Sequence, residues 1–160
     1  MSDLPSILES TIKVRFQDCD PFNHLNNAAY INYLINARED QVVEKYGLDI
    51  YKMAKTEGKS WVVASNQIAY IKPAFLMENV VVQSQLVHFT ESELRVEFRM
   101  LTEDKSEVKA VMWSDLVYFN FMNKKRDTHS DYFTDLFKSV VKPVEQTIFE
   151  ERIGSFRKRN

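Results

Sequence analysis

The sequence predicts an α+β fold in which one long, buried helix fills the concave face of an antiparallel sheet of about five strands. Three observations carry this. The stretch from Asn27 to about Tyr46 contains no glycine or proline and sets Tyr30, Tyr33, Leu34 and Ala37 at helical spacing. Between residues 60 and 122, four segments rich in β-branched and aromatic residues are separated by short polar turns. A single strand precedes the helix, so strands and helices do not alternate as they would around a parallel sheet.

Taken in order, residues 11–17 alternate Ile12, Val14 and Phe16 with polar residues, the pattern of a half-buried strand. Residues 18–26 break that pattern with Asp, Pro and Asn and form a loop. In the helix that follows, Ile31, Ile35 and Val42 add a second apolar strip, whereas residues 38–45 are more charged and should surface. Gly47 fits the position just past the helix end. Residues 49–57 read as a short helix capped by Asp49 and stopped by Gly58. Strands are then expected at 60–71, 79–89, 93–101 and 107–122, joined in sequence as a meander. In the third of these, Leu94, Val96, Phe98 and Met100 face one way and Arg95, Glu97 and Arg99 the other. The fourth carries Val111, Trp113, Val117, Phe119 and Phe121 on one side. Lys124-Lys125-Arg126-Asp127 ends the sheet. Residues 130–141 form a helix with Tyr132, Phe133, Leu136, Phe137 and Val140 on its apolar face, and Pro143 interrupts it. The tail beyond carries Ile148, Phe149, Ile153 and Phe156 as apolar handles for docking on the same subunit or a neighbour, and Arg157-Lys158-Arg159 reads as a solvated end. Such a sheet has exposed edges, which dimerisation edge to edge would cover.

Composition excludes several functions. The chain has 160 residues, 44% hydrophobic and 28% charged, which suits one domain with a real core. A net charge of −2 supplies no field for nucleic acid. The single cysteine, Cys19, rules out an internal disulfide and any multi-cysteine zinc site, and His24, His88 and His129 form no metal-binding spacing. The three glycines lie in no phosphate-binding loop, so neither a metal nor a nucleotide cofactor is expected. The N-terminal Met1-Ser2-Asp3-Leu4-Pro5 has no signal-peptide character. No apolar run reaches the roughly 18 residues of a membrane span, so the expectation is a cytoplasmic protein.

The densest chemistry lies in Asp18-Cys19-Asp20-Pro21-Phe22-Asn23-His24-Leu25-Asn26-Asn27-Ala28-Ala29-Tyr30. Two carboxylates, an imidazole and two carboxamides converge on a helix start, whose unpaired N–H groups can hold an anion or oxyanion. Asn26 suits the N-cap, and a carboxylate at Asp20 near those donors can act as general base or nucleophile on a polarised carbonyl. The same residue types also build ordinary turns and caps, so both readings stand at this point. Cys19 is flanked by two acids that disfavour its thiolate, which argues against a nucleophilic cysteine. His88 reads as a strand-surface residue, His129 as a loop residue, and Trp61 and Trp113 as packing or interface residues.

The run Phe16-Gln17-Asp18-Cys19-Asp20, His24-Leu25-Asn26-Asn27, Tyr30 and Ala37-Arg38 resembles the 4-hydroxybenzoyl-CoA thioesterase-like branch of the hotdog-fold superfamily. Tyr70-Ile71-Lys72-Pro73-Ala74 resembles the segment that ends the family's second strand. The resemblance covers roughly residues 10–122. It implies a hotdog domain over 1–125, with 126–160 a C-terminal helical extension and not an independent domain. It implies an acyl-CoA thioesterase, a homodimer or tetramer with active sites at the dimer interface. Carried over by position, Asp20 is the catalytic carboxylate and the backbone N–H of Asn27 polarises the thioester carbonyl. His24 orients water or the carboxylate, Asn26 and Tyr30 shape the loop and helix start and with Lys72 bind substrate, and Asp18 is structural. Lys72, Lys124, Lys125 and Arg126 are candidate cations for the CoA phosphates, Lys72 foremost. The alternatives are an acyl-ACP thioesterase, a hotdog enoyl-CoA hydratase or dehydratase, and a non-catalytic acyl-ligand binding or scaffold protein. This chain departs from many relatives in having Asn23 before the motif His and Met77-Glu78 before the third strand, where they have Gly and Gly-Asp. It also has Ile35-Asn36 where they carry acids before Ala-Arg.

Overall fold

The computed structural model describes residues 3–157. Met1 and Ser2, and Lys158 and Arg159 of the expected solvated end, lie outside the described residues. In chain order the elements are β1 (Ile7–Lys13), α1 (Asn27–Tyr46), α2 (Ile50–Glu57), β2 (Lys59–Tyr70), β3 (Asn79–Phe89), β4 (Glu93–Thr102), β5 (Val108–Asn120), β6 (Lys125–Arg126), α3 (Asp131–Val140) and α4 (Phe149–Arg157). The main strands run in the order β1-β3-β4-β5-β2, all antiparallel, and the two-residue β6 pairs with β5.

The helices end where their local chemistry dictates. The Asn26 side chain accepts from the Ala28 N–H at the start of α1, and Gly47 closes it with φ 65°, donating to the Val42 and Val43 carbonyls. Asp49 caps α2 by accepting from the N–H groups of Tyr51 and Lys52. Tyr30, Leu34 and Ala37 of α1 pack into one core with Val80 and Val82 of β3, Val96, Phe98 and Met100 of β4 and Met112 of β5. The buried helix expected from the sequence is therefore the filler of one sheet face. Phe133, Leu136, Phe137 and Val140 of α3 join the same core, whereas Tyr132 is 60% exposed.

Three features differ from the sequence reading. The first strand begins earlier, at Ile7, and stops at Lys13. Val14 stays buried and pairs with residues 77 and 78, but the chain then turns through a single 3₁₀ turn, Phe16–Asp18, leaving Phe16 76% exposed. The alternating pattern thus outruns the strand at Val14, which is buried without joining the ladder, and fails at Phe16, which is exposed. Second, only β3, β4 and β5 form a meander, and β2 lies beyond β5 at the edge, from Lys59↔Asn120 to Tyr70↔Ala110. Residues 71–78 carry the chain from that edge back to β3.

Third, the polar face of β4 is covered at Glu97 and Arg99, while Arg95 stays partly exposed. Phe149 and Ile153 of α4 pack with Val111 and Trp113 in a second, smaller core on the opposite side of the sheet. The tail therefore docks on its own subunit, and the Val111–Trp113 side of β5 faces α4, while Ala110 and Met112 face α1. Glu97, at 0% exposure, lies beneath this layer. It accepts hydrogen bonds from the guanidinium groups of Arg99 and Arg152 and from the Trp113 indole.

Candidate active site

Two loops meet at the N-terminus of α1. Residues 18–26 and 71–78 are tied by Leu25 N–H to Ala74 carbonyl (2.8 Å), Leu76 N–H to Asn23 carbonyl (2.9 Å) and a β-bridge between His24 and Phe75. Two residues turn these loops with left-handed backbones, Asn23 (φ 61°) and Met77 (φ 65°). These are the positions at which this chain lacks the family's glycines. Asn tolerates such a conformation far better than Met does.

Between the loops and α1 lies a cleft of about 310 Å³, lined by Asp20, His24, Asn27, Tyr30, Tyr70 and Lys72 among others. The structure thus brings together five of the six residues singled out from the sequence: Asp20, His24, Asn27, Tyr30 and Lys72. Asn26 does not line the cleft, and its side chain is occupied as the cap of α1.

Each residue is held by identifiable contacts. Asp20 closes its own turn, with Oδ1 accepting from the backbone N–H of Phe22 (2.9 Å) and of His24 (3.1 Å). Its Oδ2 has no protein donor among the described residues. The Asn27 N–H, first in α1, likewise has no acceptor among the described residues, as expected for a helix start. His24 packs edge-on against Phe75, with ring centroids 5.1 Å apart. The Tyr30 hydroxyl accepts from the Ala74 N–H (3.0 Å), so it fastens the helix to the second loop. Burial raises the Tyr30 pKa above its usual range and keeps the hydroxyl protonated at neutral pH. Lys72 pairs with Glu107, so its charge is already partly neutralised. Lys124, Lys125 and Arg126 lie outside this cleft, at the β5–β6 turn, and Arg126 pairs with Glu93 at 2.8 Å.

Asp18 is fixed structurally, accepting from the Tyr33 hydroxyl at 2.6 Å. Burial, followed by the charges of Asp18 and Asp20, raises the Cys19 pKa and keeps it a thiol.

Two contributors were not singled out from the sequence. Tyr70 donates its hydroxyl to the Asn27 carbonyl (2.7 Å) and stands edge-on to Tyr30, pinning the first turn of α1 to the end of β2. Lys109, nearly buried, donates to the Pro73 carbonyl (2.8 Å) and pairs with Glu78 (2.9 Å), holding the second loop from below. Tyr70 opens the motif Tyr70-Ile71-Lys72-Pro73-Ala74, which was its only signal. Lys109 had none, because a lysine in a strand reads as solvent-facing.

The cleft thus holds a carboxylate, Asp20, and the first residue of a helix, Asn27, groups of the kind that general-base and oxyanion chemistry use. Comparison with known proteins agrees in type. A family model described as "Thioesterase-like superfamily" matches residues 14–142. The curated long-chain acyl-CoA thioesterase FadM of Escherichia coli (strain K12) is 32% identical over 79 residues, 49% of this chain and 58% of that protein. The chain thus matches little more than half the length of that relative. Among solved structures, the probable thioesterase YbaW from Escherichia coli superposes with a TM-score of 0.72 at 24% identity, covering 84% of this chain and 99% of that one. The Staphylococcus aureus protein SAV2348, determined in complex with CoA, gives 0.79 at 14% identity, covering 96% of each chain. The DHNA-CoA thioesterase from Staphylococcus aureus gives 0.73 at 17%, covering 96% and 94%. These likenesses establish the hotdog fold: a curled antiparallel sheet around a central helix.

Proposed function

Because the chain belongs to the thioesterase-like superfamily, we propose that it hydrolyses an acyl-CoA thioester to the free acid and CoA. The observation that carries this reading is that one cleft is lined by both Asp20 and Asn27, whose N–H at the start of α1 has no acceptor among the described residues. The thioester oxygen would sit at the Asn27 N–H, where the helix dipole and the free donor stabilise developing negative charge. Asp20 then either takes a proton from the attacking water or attacks the carbonyl carbon itself. In both routes the carbon–sulfur bond breaks, the CoA sulfur leaves as a thiol after gaining a proton, and water supplies the acid's new oxygen. A thioester is already an activated acyl donor, so one base and one oxyanion donor suffice. His24 borders the same cleft and would orient the water or the carboxylate. Lys72 at the rim would meet a phosphate of CoA by exchanging its Glu107 partner.

A homodimer is part of this proposal. The exposed run of β2, residues 63–67, leads directly to Tyr70, whose hydroxyl holds the first turn of α1. A second copy added along that edge would complete the walls of the cleft.

The test is thiol release from short, medium and long aliphatic, benzoyl and phenylacetyl CoA esters, comparing wild type with Asp20→Asn. The variant should keep its fold and lose about 10²–10⁴ in kcat. Turnover within a few-fold of wild type, by a correctly folded variant, would remove Asp20 from the mechanism.

A further inference from the structure

His24 borders the Asp20 cleft, yet neither of its ring nitrogens has a hydrogen-bond partner among the described residues. Its backbone is well fixed. The Asp20 N–H donates to the His24 carbonyl (2.8 Å), and the His24 N–H donates to Asp20 Oδ1 (3.1 Å). A histidine that handles protons is commonly oriented by a hydrogen bond to its second nitrogen. Here the contact is aromatic instead: Phe75 stands edge-on to the imidazole, with 83° between the planes and 5.1 Å between the centroids. The orientation of His24 therefore depends on the placement of Phe75.

Phe75 is 48% exposed, so burial alone does not place it. Glu78 and Lys109 do. Glu78 Oε2 accepts from the Phe75 N–H (2.8 Å), and Glu78 Oε1 pairs with Lys109 Nζ (2.9 Å). The same Nζ donates to the Pro73 carbonyl (2.8 Å) and lies 5.3 Å from the centre of the Phe75 ring, within cation–π range. The Phe75 ring thus meets both the Lys109 ammonium and the His24 imidazole.

The backbone explains how a lysine of β5 reaches this loop. Met100 of β4 pairs with Ala110 and Leu101 with Val108, so Lys109 is the extra residue of a β-bulge, a device that re-aims a side chain. Its carbonyl accepts from the N–H groups of Ile71 (2.8 Å) and Lys72 (3.1 Å), so backbone and side chain grip the same loop. Burying an ammonium is costly, and Lys109 is only 4% exposed. Its three side-chain partners all lie in residues 73–78, the segment that carries Phe75.

We propose that Lys109 and Glu78 are positioning residues: they clamp Phe75, and Phe75 sets the angle of the His24 ring in the cleft. The proposal rests on the thioesterase reading for its effect on rate, but the placement of His24 can be measured without any turnover.

The experiment compares the full-length wild type with Lys109→Met, Phe75→Leu, Phe75→Tyr and His24→Gln. Carbon–proton correlation spectra of the histidine rings report His24, His88 and His129 separately, the His24 signal being identified by its loss in His24→Gln. In Lys109→Met the His24 signal should move while those of His88 and His129 stay. In thiol release, Lys109→Met and Phe75→Leu should each lower kcat about tenfold with KM little changed. Phe75→Tyr, which keeps the ring, should restore it. The losses from Lys109→Met and His24→Gln should not add, because they remove one function. An unmoved His24 signal in folded Lys109→Met, or losses that add in full, overturns the proposal. If Lys109→Met does not fold, Phe75→Leu decides: kcat near wild type refutes the clamp, and a loss that Phe75→Tyr repairs supports it. If no ester is hydrolysed by wild type, the thioesterase reading fails, and the position of the His24 signal in Lys109→Met and Phe75→Tyr still decides the clamp.

Discussion

Met77 holds a left-handed backbone (φ 65°) while its side chain is largely exposed, so it contributes strain and little packing. A side chain in that conformation costs about 1–2 kcal/mol, part of which glycine returns as chain entropy on unfolding. Met77→Gly should therefore stabilise the fold by about 0.5–1 kcal/mol. Urea melts would show this as a raised midpoint with unchanged slope. Glu97 presents the opposite case, a carboxylate that the fold depends on. Burial alone would raise its pKa, but the hydrogen bonds from Arg152 and Trp113 and the charges of Arg99 and Arg152 outweigh burial and hold it below its ordinary value. A carboxylate depressed in the folded state adds stability above its unfolded pKa and loses it as pH falls through the folded value. Stability should thus decline on acidification below about pH 4.3, and Glu97→Gln should lack that part of the slope. Glu97→Ala, which strands two arginines, should cost about 3–5 kcal/mol in denaturant titrations at pH 7.

At the scale of elements, the cap of α1 links stability to the site. Asn26 was expected to shape the loop and helix start and to bind substrate; its side chain caps α1 and fixes where the helix begins, and it does not line the cleft. Asn26→Ala should destabilise the protein by about 1 kcal/mol and lower kcat, because the Asn27 N–H is no longer held in place. Asn26→Ser, which restores a capping oxygen, should recover most of both, whereas a residue in direct contact with substrate would not be rescued so simply. Capping chemistry also explains why the helices were legible in the sequence. Asn26 and Gly47 bound α1 and Asp49 and Gly58 bound α2, as local residue identity alone indicates. Long-range partners were not legible. The charged face of β4 looks solvent-exposed until Phe149 and Ile153 cover it, and neither Glu97 nor Arg152 announces the other across 55 residues. His129 shows the same limit: it lies on a loop, as expected, but it is buried there and accepts a hydrogen bond from the Trp61 indole at 2.9 Å. The cleft residues were legible for another reason, since most of them fall in the contiguous run 20–30.

The molecule as a whole has two sheet edges, β1 and β2, with very different lengths and surroundings. The first is a seven-residue strand, whereas β2 runs for twelve and exposes residues 63–67. A long exposed edge of this kind offers unpaired backbone groups to another strand unless charge or proline guards it. Val63-Ala64-Ser65-Asn66-Gln67 has neither, although a register shift between Val63 and Ser65 marks an irregularity there. The opposite face of the sheet is meanwhile sealed by α4 of the same chain. The proposed homodimer would therefore use the β2 edge, beside the cleft that Tyr70 helps to build. Lysines introduced together at Val63 and Gln67 would set like charges against one another across a two-fold axis on that edge. The double variant should remain folded, sediment as a monomer where wild type sediments as a dimer, and lose thioesterase activity in proportion to the dimer lost. Full activity in a monomeric variant would show that one chain carries a complete cleft, and the role of the β2 edge in catalysis would fall with it.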